Sequence, residues 1–361
     1  MMYRWGTLLL VIGCGGSEST ESSSATEAMA TTSRSEAATP DTSSVDTSSG
    51  PSETTSSEST SSESSAGGVS GSSSGGIDGS KLQHFGFVGV SCMVDDPHDE
   101  EGPRNYVDEV AGFTNIAHLC PIALDITLQA DEITDAGGLA FLDLTLILFE
   151  PVPGDAPVGT GSQLRLRSDA AALFGAFVET NTNVLDADHV AAFYLVDEPI
   201  WNGVPPEEVA IAATLVDDAF PNIPIAVIEA YPVVADAVFP DGVDWVGFDR
   251  YLVPNPATDA MYLSELETVR ARATDDQDLV IIMDAQWFSL YDKVPLSAED
   301  MADVARNSYE LAMSRDDVVA LIGYAWPGGL DVPEQLGARS LPVGVQAAYQ
   351  EIGQAILGVR P

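Results

Sequence analysis

Apolar, β-prone runs alternate with amphipathic runs of helical periodicity along residues 81–361. The apolar runs are nearly continuous in Val, Ile, Leu, Phe and Ala, as strands buried on both faces of a parallel sheet require. We predict eight strands, at 84–91, 114–120, 140–149, 190–197, 223–230, 243–250, 279–287 and 318–326.

The segments between these strands predict the crossover helices of βα units. Helices are predicted at 168–180, 205–219, 260–274, 297–314 and 343–357, whereas the connections after the first two strands are less regular. Eight βα units in one series predict an α/β fold of the closed (β/α)₈ TIM barrel type. The alternative is an open doubly wound sheet, but no GxGxxG follows the first strand, so we expect no nucleotide or other cofactor.

The part of the chain before the barrel has a different composition. Residues 15–80 consist mainly of Ser, Thr, Glu, Gly and Ala and contain almost no large apolar side chains. Such a segment cannot bury enough apolar surface to offset the entropy of ordering, so we predict a disordered stalk. The predicted organisation is a signal peptide over 1–14, a linker over 15–80 and a barrel over 81–361.

The first residues contain a short apolar run that ends at a cysteine. Leu10-Val11-Ile12-Gly13-Cys14 resembles a bacterial lipobox, which implies cleavage before Cys14 and lipidation of its thiol. We therefore expect an exported lipoprotein of the bacterial cell envelope, held at the outer membrane or cell surface by its lipid. The alternative is an ordinary secretory signal with an incidental cysteine.

Charge restricts the partners of this chain. With 56 acidic and 14 basic residues, the net charge is -42. Such a chain does not offer the basic patch that nucleic acid or an anionic membrane surface requires, so membrane contact is expected only through the lipid anchor.

Cysteine and histidine are scarce in the predicted barrel. Cys92 and Cys120 fall near the ends of consecutive strands, so they form either a disulfide or two buried thiols. The chain has only four histidines and no HxxxH pair, so no metal site is predicted. We expect His118, at the end of the second strand, to be hydrogen-bonded or to contact the substrate.

Polar residues interrupt the apolar runs where several strands end, which is where (β/α)₈ barrels carry their function. Period-two alternation along the seventh strand predicts one face with Val280, Ile282, Asp284 and Gln286 and another with Ile281, Met283 and Ala285. The same alternation on the other strands predicts that carboxylates and aromatic rings meet at one opening. Two carboxyl groups with aromatic platforms are what glycoside hydrolysis needs. The strand-end residues are Asp197, Glu198, Glu229, Tyr231, Asp249, Arg250, Tyr251, Asp284, Gln286, Tyr324 and Trp326.

Four of these strand ends carry a family likeness. The sequences LVDEP, VGFDRY, VIIMDAQWF and IGYAWP resemble clan A glycoside hydrolases. The resemblance implies that Glu198 is the general acid/base and that Trp326 lies beneath a bound sugar. It also implies a carboxylate nucleophile at the end of the seventh strand.

This sequence departs from the clan pattern at two positions. Asp197 stands where the clan commonly has Asn, and the seventh strand offers Asp284 or Gln286 in place of Glu. Asp is one methylene shorter than Glu, and Gln cannot attack a sugar. If the carboxyl groups are about 6.5–9.5 Å apart, an inverting mechanism follows, with Asp249 or Glu229 as candidate base. The candidate substrate-binding residues are Trp326, Tyr251, Asp197, Gln286, Tyr231 and His118.

Two functions remain open. The first is a cell-envelope-anchored glycoside hydrolase that cleaves O-glycosidic bonds of a polysaccharide or oligosaccharide, with Glu198, Asp284, Asp249 and Glu229 as catalytic candidates. The second is a catalytically inactive barrel that binds carbohydrate or a protein partner. A lyase or a metal-assisted hydrolase finds no support in the spacing of metal-ligating residues.

Overall fold

A computed structural model describes residues 80–155 and 162–358. The predicted signal peptide with Cys14 and nearly all of the predicted linker lie outside the described residues. Among the helices that are described, none has the length and apolar character needed to cross a bilayer.

Eight parallel strands close into a barrel, which confirms the predicted fold class. Each strand pairs with the next along the chain, and the first pairs with the last, so the described sheet has no open edge. The barrel strands, numbered in chain order, are β1 (His84–Ser91), β2 (Ile116–Leu119), β3 (Leu139–Asp143), β4 (Val190–Asp197), β5 (Ile225–Ala230), β6 (Trp245–Asp249), β7 (Asp278–Asp284) and β8 (Val318–Tyr324).

Helices cover the outside of the barrel. The five predicted helices are present with small shifts at their ends, and a helix also follows β2. A 3₁₀ helix, Tyr231–Asp236, takes the place of an α-helix after β5. The α-helices are α1 (Val107–Val110), α2 (Thr127–Asp135), α3 (Thr145–Leu148), α4 (Ala170–Thr180), α5 (Pro206–Ala219), α6 (Ala260–Arg272), α7 (Met301–Met313) and α8 (Val343–Ile356).

The third strand is shorter than the predicted 140–149. β3 ends at Asp143, the apolar run continues as α3, and the chain then forms a hairpin in which Phe149–Asp155 pairs antiparallel with Ser162–Leu166. The prediction was wrong here because a short apolar run does not distinguish a buried strand from a buried helical turn. The hairpin inserts before α4, so the third connection is the most elaborate of the barrel.

Two apolar layers stabilise the fold. The inner layer fills the barrel and includes Val280 and Ile282, while the outer layer lies between sheet and helices and includes Ile281 and Met283. This confirms the predicted alternation along β7 up to Ile282. Bulky side chains from several strands pack inside, so the barrel interior is a core and not a channel.

A close backbone contact joins α8 to the turn that precedes β2. A Cβ at Gly353 would lie 1.8 Å from the carbonyl oxygen of Phe113, whereas a Cβ at Gly344 in the same helix would meet nothing within 4 Å. Only glycine therefore permits the helix to approach at Gly353.

We predict that Gly353→Ala lowers the free energy of unfolding by at least about 2 kcal/mol, because α8 must move away from the Phe113 backbone in the turn before β2. Gly344→Ala is the matched control, and it should be neutral or stabilising by up to about 1 kcal/mol. Urea denaturation measures both. Equal effects of the two substitutions would contradict the close approach.

Candidate active site

Glu198 follows β4 directly and lies at the carboxyl-terminal opening of the barrel. Its φ is 40°, a left-handed conformation that costs a non-glycine residue about 1–2 kcal/mol. Two backbone hydrogen bonds hold this conformation, one from the Glu198 N–H to the Ile228 carbonyl (3.1 Å) and one from the Asn202 N–H to the Glu198 carbonyl (2.8 Å). The fold thus fixes the backbone from which this carboxyl group projects.

A hydrogen bond joins the carboxyl groups of Glu198 and Asp249. Burial, followed by the negative charge of Asp249, raises the pKa of Glu198 well above its usual value. Burial also raises the pKa of Asp249 to about 7, although the hydrogen bond from Glu198 opposes that rise. Two buried carboxyl groups in contact do not both ionise readily, so the pair favours a state in which it retains a proton.

Tyrosine rings line the same opening. Tyr251 is hydrogen-bonded to Asp249, and its ring centroid lies 5.3 Å from that of Tyr324 at an interplanar angle of 30°. Both rings are half-buried. Tyr324 ends β8, so this ring pair and Asp249 bring together the ends of β6 and β8.

Asp197 belongs to a second acidic group beside the first. The Tyr194 hydroxyl donates to Asp197 at 2.5 Å, and the Tyr194 ring stacks on Phe141 with centroids 5.0 Å apart. Burial raises the pKa of Asp197, with a further rise from the charge of Asp143 at the end of β3. Sequence analysis missed Asp143 because the apolar run through β3 and α3 hid the strand end.

His118 lies against this group and beside a disulfide bond. Its Nε2 is 3.7 Å from an Asp143 carboxylate oxygen, and its Nδ1 accepts a hydrogen bond from the Gly89 N–H at 3.3 Å. Cys92 and Cys120 form a disulfide. Their sulfurs and a His118 nitrogen lie within 4.8 Å of one another, but the S–S bond removes both thiolates that a metal ion would need. His118 thus borders the opening as a buried hydrogen-bonded side chain.

Glu229 is tied to the loop that carries Glu198. Its carboxylate accepts hydrogen bonds from the N–H groups of Ile200 (2.8 Å), Trp201 (3.2 Å) and Ala230 (2.9 Å). Burial raises the pKa of Glu229 to about 7, against these three donors. By alternation Glu229 shares the face of Val227, which belongs to the outer layer. The structure therefore gives Glu229 a positioning contact and does not direct it across the opening.

Asp284 is also occupied by its own hydrogen bonds. One oxygen accepts from the Leu252 N–H at 2.9 Å, and the other accepts from the Tyr291 hydroxyl at 2.5 Å. Burial raises the pKa of Asp284 to about 7, although the Tyr291 hydrogen bond lowers it. Only 4% of the residue is exposed, and the structure does not bring it into contact with Glu198.

Trp326 and Tyr231 each make contacts outside the acidic group. Trp326 is buried in the outer layer, 5.0 Å from the Phe87 ring, and its indole N–H donates to Glu109 at 2.8 Å. Only 5% of Trp326 is exposed in this packing, and its role as a sugar platform stays a prediction. The exposed Tyr231 lies 4.7 Å from the guanidinium of Arg250.

Gln286 links the end of β7 to a residue that sequence analysis did not single out. Gln286 is fully buried, and its side-chain oxygen accepts from the Gln335 amide. The same Gln335 amide also donates to Asp331 at 3.1 Å, and the Tyr324 hydroxyl donates to Asp331 at 3.0 Å. Asp331 lies in the Gly- and Pro-rich loop after β8, where its sequence resembles an ordinary turn.

We predict that Glu229→Ala lowers the free energy of unfolding by about 2–4 kcal/mol, because the N–H groups of Ile200 and Trp201 lose their acceptor. Urea denaturation measures the change. Glu207→Ala, at an exposed position in the first turn of α5, is the control and should have a small effect. A Glu229→Ala protein as stable as the control would contradict the positioning contact.

No protein-family model and no curated protein matches this sequence. Solved structures do resemble it. A glucosidase from Croceicoccus marinus has a TM-score of 0.54 at 12% identity, over 78% of this chain and 68% of that chain. Xylanase 10B from Thermotoga maritima has a TM-score of 0.47 at 12% identity, over 78% and 98% of the two chains. A GH113 β-1,4-mannanase has a TM-score of 0.45 at 14% identity, over 76% and 99%. At 12% identity, the structural similarity to the glucosidase shows a common fold and not a common substrate. We conclude that the chain shares the (β/α)₈ barrel fold of the glucosidase.

Proposed function

We propose that this protein is a glycoside hydrolase in which Glu198 is the general acid. The observation that carries the proposal is the buried contact between the carboxyl groups of Glu198 and Asp249, which raises the pKa of Glu198 and so favours its protonated form. A carboxylic acid that stays neutral near pH 7 is what protonation of a glycosidic oxygen requires. The substrate class is an O-linked polysaccharide or oligosaccharide.

The surroundings of Glu198 support this role. Its backbone is fixed at the end of β4, and the rings of Tyr251 and Tyr324 lie at the same opening. Aromatic faces bind the apolar faces of sugar rings. The fold shared with a glucosidase agrees with carbohydrate as the ligand but does not identify the sugar.

Asp249 does not fit the second catalytic role that retaining enzymes need. Retaining glycosidases separate their two carboxyl groups by about 5–5.5 Å, which leaves room for the anomeric carbon between them. Glu198 and Asp249 are in hydrogen-bond contact, so Asp249 lies beside the acid and not across from it. We assign Asp249 to holding and orienting the proton of Glu198.

A catalytically silent, carbohydrate-binding barrel is the second candidate. The observation that favours it is that Asp284 and Glu229, the other two predicted carboxylates, accept structural hydrogen bonds at both oxygens. In such a protein the acidic groups and tyrosine rings bind sugar hydroxyls and ring faces without cleavage.

The location that fits either function is the bacterial cell envelope. Lipidation at Cys14 tethers the barrel to a membrane, and the polar segment that follows holds it away from the lipid surface. Extracellular or wall-associated glycans are then within reach. Metabolic labelling with an alkyne fatty acid, compared between the intact protein and Cys14→Ser, tests this tether.

We predict that Glu198→Gln lowers kcat/KM by at least about 10²-fold, because Gln cannot donate the proton. The thermal midpoint should stay equal or rise, since a buried carboxyl group with a raised pKa destabilises the folded state at neutral pH. Activity is measured on a broad panel of α- and β-linked oligosaccharides. Glu179→Gln, at an exposed position of α4, is the matched control.

Two outcomes decide between the candidate functions. Folded wild-type protein that cleaves none of the panel, yet binds one of its members by calorimetry, rejects hydrolysis and supports the silent barrel. Cleavage that survives Glu198→Gln undiminished rejects Glu198 as the acid.

We predict that Asp249→Asn moves the alkaline limb of the kcat/KM profile to lower pH. Asn removes the negative charge and the acceptor that favour the neutral form of Glu198, so the pKa of Glu198 falls and its proton is lost earlier. Asp276→Asn removes the same charge at the other end of the barrel and should leave the limb in place. An alkaline limb that stays or moves to higher pH in Asp249→Asn would refute the assigned role.

A further inference from the structure

The proposed hydrolase needs a second carboxylate, and Asp331 lies close enough to the acidic group around Glu198 for charge interactions with Asp249 and Asp197. In the closed ring of strands, β4 lies four places from β8 in either direction, so the ends of these strands are on opposite sides of the opening. Glu198 follows β4, and Asp331 lies in the loop that follows β8. A reacting sugar between the two would have one carboxyl group on each side.

We infer that Asp331 is the general base of this reaction, activating the water that attacks the anomeric carbon. This assignment rests on the proposed function and specifies its mechanism as inverting. Asp331 takes this role in place of Asp284 at the end of β7, because Asp284 is only 4% exposed whereas Asp331 is partly exposed to solvent.

The position of Asp331 is set by a chain of hydrogen bonds that begins at the end of β7. Gln286 holds Gln335, and Gln335 binds Asp331 twice, through its amide to the carboxylate (3.1 Å) and through its side-chain oxygen to the Asp331 N–H (2.8 Å). The Tyr324 hydroxyl holds the other carboxylate oxygen at 3.0 Å. The residue is therefore oriented from β7 and from β8.

Hydrogen bonds also hold the loop around Asp331 in place. The Gly328 N–H donates to the buried Asp96 at 3.0 Å, and the Gly329 N–H donates to the Gln335 carbonyl at 3.0 Å. His98 contacts the same carbonyl through Nε2 at 2.8 Å. A catalytic group held by such contacts keeps its orientation when substrate binds.

The chemical state of Asp331 suits a base. Both oxygens are held by neutral donors, Tyr324 and Gln335, and each retains a lone pair for a water molecule. Burial raises its pKa to about 6, against those two hydrogen bonds and with a further rise from the charge of Asp197. Asp331 is therefore mostly ionised at neutral pH, as a general base must be.

The step balances without a cofactor. Glu198 transfers its proton to the glycosidic oxygen, the bond from that oxygen to the anomeric carbon breaks, and the electron pair leaves with the oxygen. The water oxygen forms the new bond to the anomeric carbon from the opposite face, and Asp331 takes the proton that the water releases. One water is consumed, and the configuration at the anomeric carbon is inverted.

The test starts with the stereochemistry of wild-type hydrolysis. Proton NMR of the first product formed from the best-cleaved oligosaccharide of the panel should show the inverted anomer. Retention of configuration would overturn the inference, because a general base acting on water in one displacement inverts. A wild-type protein that cleaves no member of the panel would overturn both the inference and the proposed function.

Substitutions then distinguish the failure of the inference about Asp331 from the failure of the proposed hydrolase function. Asp331→Asn should lower kcat by about 10²–10⁴-fold, while Glu334→Gln, at an exposed position of the same loop, should leave it unchanged. If Asp331→Asn keeps wild-type turnover while Glu198→Gln loses it, the inference fails and the proposed function stands.

Rescue by a small anion distinguishes a reacting group from a structural one. In Asp331→Ala, sodium azide should restore cleavage and yield a glycosyl azide, because the anion attacks without needing a base. Azide should not restore Glu198→Gln, which lacks the proton donor. Folded Asp331→Ala protein that azide does not rescue would assign Asp331 to the structure of the loop and overturn the inference.

Discussion

Closure of the parallel sheet is the constraint on which this structure depends. Pairing of β1 with β8 satisfies the hydrogen bonds that an open sheet would leave at its edges, and it brings every strand end to one rim. The strands can approach only where side chains permit. A Cβ at Gly86 would lie 1.8 Å from the Ile116 carbonyl oxygen, and one at Gly247 would lie 2.5 Å from that of Val280. Glycine at these positions thus helps to determine which polar residues meet at the opening.

Because the strand ends converge, several carboxyl groups are buried close together at that rim, and their pKa values are raised. Asp197, Glu198, Asp249 and Asp331 are drawn together, and hydroxyl, amide and carboxyl donors stabilise them in place of lysine or arginine. Two nearby arginines are engaged elsewhere, Arg250 with Glu265 and Arg339 with three acidic residues beyond the rim. With little positive charge available, burial raises the pKa of each carboxyl group and allows protonated and ionised acids to coexist.

The barrel was predictable from sequence because buried parallel strands are continuous apolar runs, and eight such runs in series have few alternative topologies. The predicted alternation along β7 matches the two layers at Val280 to Met283. The prediction was wrong at the end of β3, where one apolar run contains a strand, a helical turn and the first hairpin strand. Periodicity alone carries no signal for such a change.

The sequence predicts that Glu198 and Asp249 lie at the rim, because both residues stand where strands end. It does not predict that their carboxyl groups contact each other. Alternation along a strand says which face a side chain takes, and it does not say which loop will occupy its oxygens. Glu229 and Asp284 therefore looked equivalent to Asp249 in sequence, although backbone N–H groups and Tyr291 bind them in the structure. Asp331 could not be predicted, because the sequence of a Gly- and Pro-rich turn does not distinguish an aspartate that contacts solvent from one that contacts substrate.

The disulfide between Cys92 and Cys120 has a consequence for how the chain must mature. It closes a loop across 28 positions, which corresponds to roughly 3–4 kcal/mol of lost disorder in the unfolded chain. The covalent link lies beside His118, at the seam between the first two βα units. Oxidation therefore stabilises the part of the rim formed by β1 and β2, and chains kept under reducing conditions lack that stabilisation.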